Sequence, residues 1–167
     1  MLTNHRSRGA FIASAAALAT LASALAPAAA SQAAAAKGPV VSTATTSLGR
    51  ILVDARGHAL YLFGKDRNGK SACSGACAKA WPPLIATAKP RAGTGAKASR
   101  LGTTKRADGR LQVTYNHHPL YTFIKDTKKG QTNGEGLNAF GGTWNALSAA
   151  GTKVVMHSAP SSGTGGY

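Results

Sequence analysis

The sequence predicts a small, mainly β single domain made of two pseudo-repeated β-hairpin units, with one short helix near residues 75–81. Three observations carry that prediction. The first is a phrase written twice, sixty positions apart: residues 51–66 read ILVDARGHALYLFGKD and residues 111–126 read LQVTYNHHPLYTFIKD. The alignment sets Ile51 on Leu111, Val53 on Val113, Tyr61 on Tyr121, Phe63 on Phe123 and Asp66 on Asp126. Each copy runs on through a glycine-rich stretch to a tryptophan, Trp81 in the first and Trp144 in the second. A repeat of this size marks duplication of a supersecondary unit that cannot bury its apolar face alone. The second observation is alternation, with Leu111, Val113 and Tyr115 interleaved by Gln112 and Thr114 in the pattern of a half-buried strand. The third is turn chemistry in the middle of each phrase, Gly57 in one copy and Asn116 in the other.

Taken in order, the chain begins with a basic head (His5, Arg6, Arg8), an apolar run from Ala10 to about Leu25, and small residues in Ala-x-Ala order. Residues 1–36 therefore read as a secretory signal peptide, cleaved after Ala30 or after Ala36. A retained span is disfavoured because the run is short and alanine-rich, whereas a spanning helix needs about 20 mainly apolar residues. No cysteine follows the run to take a bacterial lipid anchor. The expected product is secreted, extracellular or in the cell envelope, with no transmembrane span after signal removal. Residues 37–44 read as a flexible lead-in, ending as a first short strand near residues 40–46. Residues 45–155 read as the two-repeat domain, with repeat one at 49–87, a connector at 88–108 and repeat two at 109–155. Residues 156–167 read as a flexible tail.

Within repeat one, Ile51-Leu52-Val53 and Leu60 to Phe63 flank a tight link in which Gly57 supplies positive φ. In repeat two, Asn116 to Pro119 turn the chain, because asparagine tolerates left-handed backbone and Pro119 fixes its own φ. Asp66 and Asp126 each follow the motif phenylalanine by three positions. A carboxylate there accepts hydrogen bonds from backbone N–H groups of the next turn, a structural role. The hydrolytic alternative requires both aspartates to converge in one cleft with separated pKa values.

Ser74 is a plausible N-cap for a helix over 75–81 that Pro82-Pro83 would stop. In an exported protein with only two cysteines, a disulfide between Cys73 and Cys77 is the favoured state. The competing reading is thiol redox or Cu(I) handling by that pair, completed by His58, His117, His118 or Met156-His157. The glycine-rich loop over 130–144 lacks the Lys-Ser/Thr ending of a nucleotide loop and reads as packing, with Phe140 and Trp144 entering the core. A last strand is expected around residues 150–155.

Charge bounds the partners. Lys and Arg number 20 against 5 Asp and Glu, a net +15, and only Arg6 and Arg8 lie in the segment to be removed. Outside a cell such an imbalance favours anionic lipid head groups or anionic cell-surface polymers, although solubility alone also accounts for it. The cations are scattered rather than massed, and no zinc-finger, RNP or helix-turn-helix pattern indicates a specific nucleic-acid site. No catalytic constellation is recognisable and no cofactor is expected, copper being the alternative.

The doubled Tyr-x-Phe-x-x-Asp phrase, CSGACAKAWPPL, LGTTKRADGRLQVTYNHHPLYTF and TNGEGLNAFGGTW together closely resemble a bacterial secreted repeat or lipoprotein family with a Tyr-x-aromatic-x-x-Asp motif. The resemblance covers about residues 45–155 and implies a repeat architecture and a cell-envelope location, without catalytic residues. It makes Tyr61, Phe63, Asp66, Trp81, Tyr121, Phe123, Asp126 and Trp144 motif residues with a structural role. Two departures stand out: many members carry a lipid-anchor cysteine that is missing here, and His117-His118 stands where a glycine commonly follows the asparagine. The expected function is a non-enzymatic envelope module that binds anionic surfaces or polymers.

Overall fold

A computed structural model describes residues 37–154, so the predicted signal peptide, the tail and Met156-His157 lie outside the described residues. Three small sheets and one short helix make up the fold, the mainly β class predicted. Strand β1 (Val40–Thr46) runs antiparallel to β2 (Gly49–Val53). Strand β1 occupies the residues expected for a first short strand, and its Val41 is fully buried, so order begins within the 37–44 stretch read as lead-in.

Asp54 then closes the link to β3 (Tyr61–Phe63), its Oδ1 accepting the N–H groups of Arg56 at 2.8 Å and His58 at 2.9 Å. Gly57 takes φ 85° there, as expected. The hairpin of repeat one is only a corner, however. Past the Val53–Ala59 bridge, β2 stays with β1 while β3 leaves it.

The stretch read as a connector holds β4 (Arg91–Ala92), a 3-10 turn at Ala98–Arg100 and β5 (Leu101–Lys105). Strand β4 lies parallel to β1, and β5 pairs antiparallel with β6 (Leu111–Tyr115) as β1 does with β2. Repeat two thus begins at β5, earlier than residue 109. The strand LGTTK hides that role because Leu101 is its one large apolar residue, so it shows no apolar alternation. Strand β6 folds back onto β7 (His118–Pro119) through a two-residue turn in which Asn116 and His117 both have positive φ, 49° and 67°. That is the type I′ geometry that matches strand twist.

The second turn is one residue shorter, and this shifts the repeat before it. Leu60 N–H donates to Leu52 O, whereas Leu120 N–H donates to Val113 O. Leu52 is therefore the counterpart of Val113, and Ile51 of Gln112, not of Leu111. A slip of one residue exchanges the faces of a strand. Leu52 and Val113 accordingly share one apolar cluster, while Val53 faces another.

Each repeat completes the other. Strand β8 (Asn138–Ala139) turns into β9 (Gly142–Ala146), and β9 pairs antiparallel with β3 of repeat one. Reciprocally, the residues after Trp81 lie along repeat two, through Pro83–Tyr121 and Ile85–Gln112 bridges. Leu147 N–H donates to Leu60 O and Leu52 N–H to Leu147 O; Leu84 N–H donates to Leu120 O and Val113 N–H to Leu84 O. The two repeats meet directly at a Tyr61–Tyr121 bridge, with N–H to O distances of 2.8 and 3.1 Å.

Helix α1 (Ala76–Ala80) is shorter than predicted and starts from Gly75 without a side-chain cap, so Ser74 contributes only its carbonyl, to Cys77 N–H. No strand forms over residues 150–154. A turn from Ser148 to Gly151 (φ 75°) returns the chain, and Leu147 meets Lys153 in a single bridge. Buried side chains divide between an aromatic cluster around Tyr61, Trp81, Tyr121 and Trp144 and an aliphatic one around Leu52, Leu60, Val113 and Leu147.

Candidate functional site

The motif residues converge where the repeats cross. Four rings form one column, Phe63 on Trp144 (centroids 4.1 Å apart), Trp144 on Trp81 (3.9 Å) and Trp81 on Phe123 (4.1 Å). Tyr61 and Tyr121 close its sides edge-on, against Trp81 at 5.3 Å and Trp144 at 5.1 Å. Stacked and edge-to-face pairs contribute about 0.5–1.5 kcal/mol each beyond the area they bury. Each tryptophan stacks on the phenylalanine of the opposite repeat.

The aspartates obey the same exchange. Tyr61 OH donates to Asp126 Oδ2 at 2.6 Å, and the Tyr121 hydroxyl is hydrogen-bonded to Asp66 Oδ2 at 2.9 Å. Their other oxygens accept backbone N–H groups, Asp66 from Ala72 and Asp126 from Asn133. Backbone acceptance was foreseen, but from residues nearer in sequence, and the tyrosine partners were not. Burial, reinforced by the Asp126 carboxylate, holds the Tyr61 phenol well above its ordinary pKa. Burial and then Asp66 do the same to Tyr121. Burial also pushes the Asp66 carboxyl up to about 6, against the opposing hydrogen bonds from Ala72 and Tyr121. One oxygen of each aspartate thus joins the repeats, through the tyrosine of the other copy, while its second oxygen holds the following loop of its own copy.

The two sides differ in what surrounds them. Beside Asp66, Tyr121 is also hydrogen-bonded to Ser71 Oγ at 2.8 Å. Arg106, only 7% exposed, donates to Ser71 Oγ (2.8 Å), Gln112 Oε1 (2.7 Å) and Cys73 O (2.7 Å). Gln112 passes the chain on to Leu120 O at 2.8 Å. Beside Asp126, the loop at Asn133-Gly134 replaces this cluster. Gly134 N–H donates to the Tyr61 oxygen at 3.3 Å, and a Cβ on Gly134 would stand 2.6 Å from the Trp81 ring. Ser71, Arg106, Gln112 and Gly134 are neighbours of the motif not singled out from the sequence. In an alternating strand Gln112 carries no signal of its burial, so the first three were not marked locally; the Asn-Gly pair was the available signal for the last.

Cys73 and Cys77 are joined in a disulfide with Cα atoms 5.3 Å apart, the state the sequence favoured. Cys73 precedes α1 and Cys77 lies within it. Through the Cys73 carbonyl the disulfide loop is tied to Arg106. His117 is exposed and His118 half-buried in the β6–β7 turn. Burial and the neighbouring His117 lower the pKa of His118. Among the described residues, no three His, Cys, Asp or Glu side chains gather into a group that would hold a metal ion. Trp144 is fully buried as expected, but Phe140 is 45% exposed, because its positive φ (57°) places it at the tip of the β8–β9 turn.

The charged surface is one-sided. Of the eighteen Lys and Arg within residues 37–154, sixteen are exposed, with Arg100 half-buried and Arg106 buried. All five carboxylates have internal duties. Asp54 holds its turn, Asp66 and Asp126 hold the tyrosines, and Glu135 accepts Ala146 N–H at 2.6 Å. Asp108 pairs with Arg110 at 2.7 Å, which holds its carboxyl down at about 2.

No curated protein and no solved structure matches the chain. A family model described as a secreted repeat of unknown function matches residues 42–85 and 102–148, the two units that begin in β1 and β5. These matches span more than half of the sequence, and their limits follow the structural repeats, each ending where its tail crosses to the other. The chain belongs to this family of secreted repeats.

Proposed function

We propose that the protein is a non-enzymatic secreted module that binds anionic surfaces, either lipid head groups or anionic polymers of the cell envelope, through distributed charge. What supports the reading is the surface itself, sixteen exposed cations with the carboxylates engaged in turns, in tyrosine pairs, with the β9 backbone and with Arg106 and Arg110. The Tyr and Asp side chains of the motif are engaged within the fold, between the repeats and with their own loops, which leaves the surface to meet partners. Distributed cations attract polyanions over about a Debye length, roughly 8–10 Å at ordinary ionic strength.

The test is co-sedimentation of the mature protein with phosphatidylglycerol-containing vesicles, with neutral phosphatidylcholine vesicles and heparin competition as controls, between 50 and 500 mM salt in roughly tenfold range. Binding is expected to need the anionic lipid and to fall steeply with salt. Replacing both cysteines, Cys73→Ser with Cys77→Ser, is expected to leave it unchanged, whereas the thiol or copper alternative requires loss. Equal binding to neutral vesicles, or none at low salt, would sink the proposal.

A further inference from the structure

A groove of about 860 Å³ opens beside the second repeat. Cross-strand pairing sets Leu101 opposite Tyr115, Thr103 opposite Val113 and Lys105 opposite Leu111, so Leu101, Thr103 and Leu111 share one face of β5 and β6. That face is the floor. Residues 86–92 form the wall, where the chain leaves β6 after Ala86 N–H donates to Leu111 O. Leu111 remains 45% exposed in the groove, while Leu101 packs against the aliphatic cluster. The volume falls within the roughly 300–1,000 Å³ of ligand sites.

The lining is apolar and small, with two cations, Lys89 and Arg91, and no carboxylate. Neither cation has an ion-pair partner among the described residues. An acidic polysaccharide would satisfy the cations and leave the trough wet; an uncharged lipid would fill the trough and leave the cations unanswered. An apolar chain joined to an anionic head satisfies both. We infer that this groove takes one acyl chain and the anionic head of a membrane or envelope lipid. The inference deepens the surface-binding reading and rests on it.

Titration of the mature protein with octyl and decyl phosphate below their micelle concentrations, followed by calorimetry and amide chemical shifts, tests it. Affinity is expected to rise roughly fourfold per buried methylene, about sixteenfold between the two probes. Shifts should centre on Ala88, Ala98, Leu101 and Leu111. Leu111→Glu changes an exposed residue and should erase the chain-length dependence; Lys89→Glu with Arg91→Glu should weaken both probes and reduce the salt dependence. Equal affinities for the two probes, shifts centred elsewhere, or wild-type binding by Leu111→Glu would overturn the inference. Concentration-dependent shifts of the same amides without probe would assign the groove to a second copy and overturn it as well. If the groove reading alone fails, salt-dependent binding to heparin and to anionic vesicles persists; if the surface reading fails, those are lost too.

Discussion

Removing one oxygen atom, in Tyr61→Phe, isolates the bond that crosses between the repeats. The Tyr61 hydroxyl is buried with Asp126, which is 4% exposed, and also accepts the Gly134 N–H. The ring stays in place against Trp81, so the change deletes polar contacts without opening a cavity. It strands one oxygen of a buried carboxylate and one backbone donor. A hydrogen bond to a charged group contributes about 1.5–3 kcal/mol, and a stranded buried group adds to its loss, so the expected cost is about 3 kcal/mol. In a domain of this size that lowers Tm by roughly 10 °C. Tyr121→Phe should cost less, because Asp66 is half-buried and keeps Ala72 N–H, while Ser71 keeps Arg106. The assay is urea and thermal unfolding of the oxidised protein, with a double-mutant cycle adding Asp126→Leu. Coupling of about 2 kcal/mol is expected. A loss below about 0.5 kcal/mol for Tyr61→Phe, as at an ordinary surface site, or additive single losses, would refute the reasoning.

Asp66 gives a pH dependence of unusual sign. Its folded pKa of about 6 lies above its ordinary value, so between about pH 4 and 6 the native state holds more protons than the unfolded one and stability falls as pH rises. The stability difference between Asp66→Asn and wild type, measured by urea unfolding, should shift in the variant's favour by about 1–2 kcal/mol from pH 4 to 7, after allowance for solvent screening; a flat difference would contradict this. His117→Gly should stabilise by about 1 kcal/mol in the same assay, since φ 67° strains a side chain that glycine lacks; destabilisation would contradict it. Because the repeats complete each other's sheets, fragments cut in the loop between β4 and β5 should be unstructured apart and regain native circular dichroism when mixed. Independent folding of either fragment would overturn the reciprocal architecture.

Much of this fold was legible because its signals are local. Gly57 and Asn116 announce the turns, the two cysteines of an exported chain announce their bond, and Trp81 and Trp144 announce buried aromatics. What escaped depends on partners distant in sequence. Nothing near Asp66 indicates Tyr121, or near Tyr61 indicates Asp126, since separations of 55 and 65 residues are resolved only by the crossing of the chains. The alignment of the repeats also misled. It is right after the turn, where Tyr61 matches Tyr121, and wrong by one before it, because the turn of copy two is one residue shorter while neighbouring positions in copy one are alike apolar. Strand β5 hid among threonines in the stretch read as a connector. Arg106 looked like one more scattered cation, and only its burial beside Gln112 and Ser71 separates it from the sixteen that face solvent.

In the proposed division of labour, the Tyr and Asp motif serves the fold while the exposed cations serve binding. That division is tested most directly by measuring, on the same samples, stability and affinity for phosphatidylglycerol vesicles across salt. Three proteins suffice: wild type, Tyr61→Phe, and a variant with Lys125, Lys128 and Lys129 changed to Glu. Tyr61→Phe, kept below its lowered Tm, is expected to bind like wild type, and the charge variant to keep its Tm while binding more weakly and with a shallower salt dependence. A Tyr61→Phe protein that is as stable as wild type yet no longer binds would contradict this division.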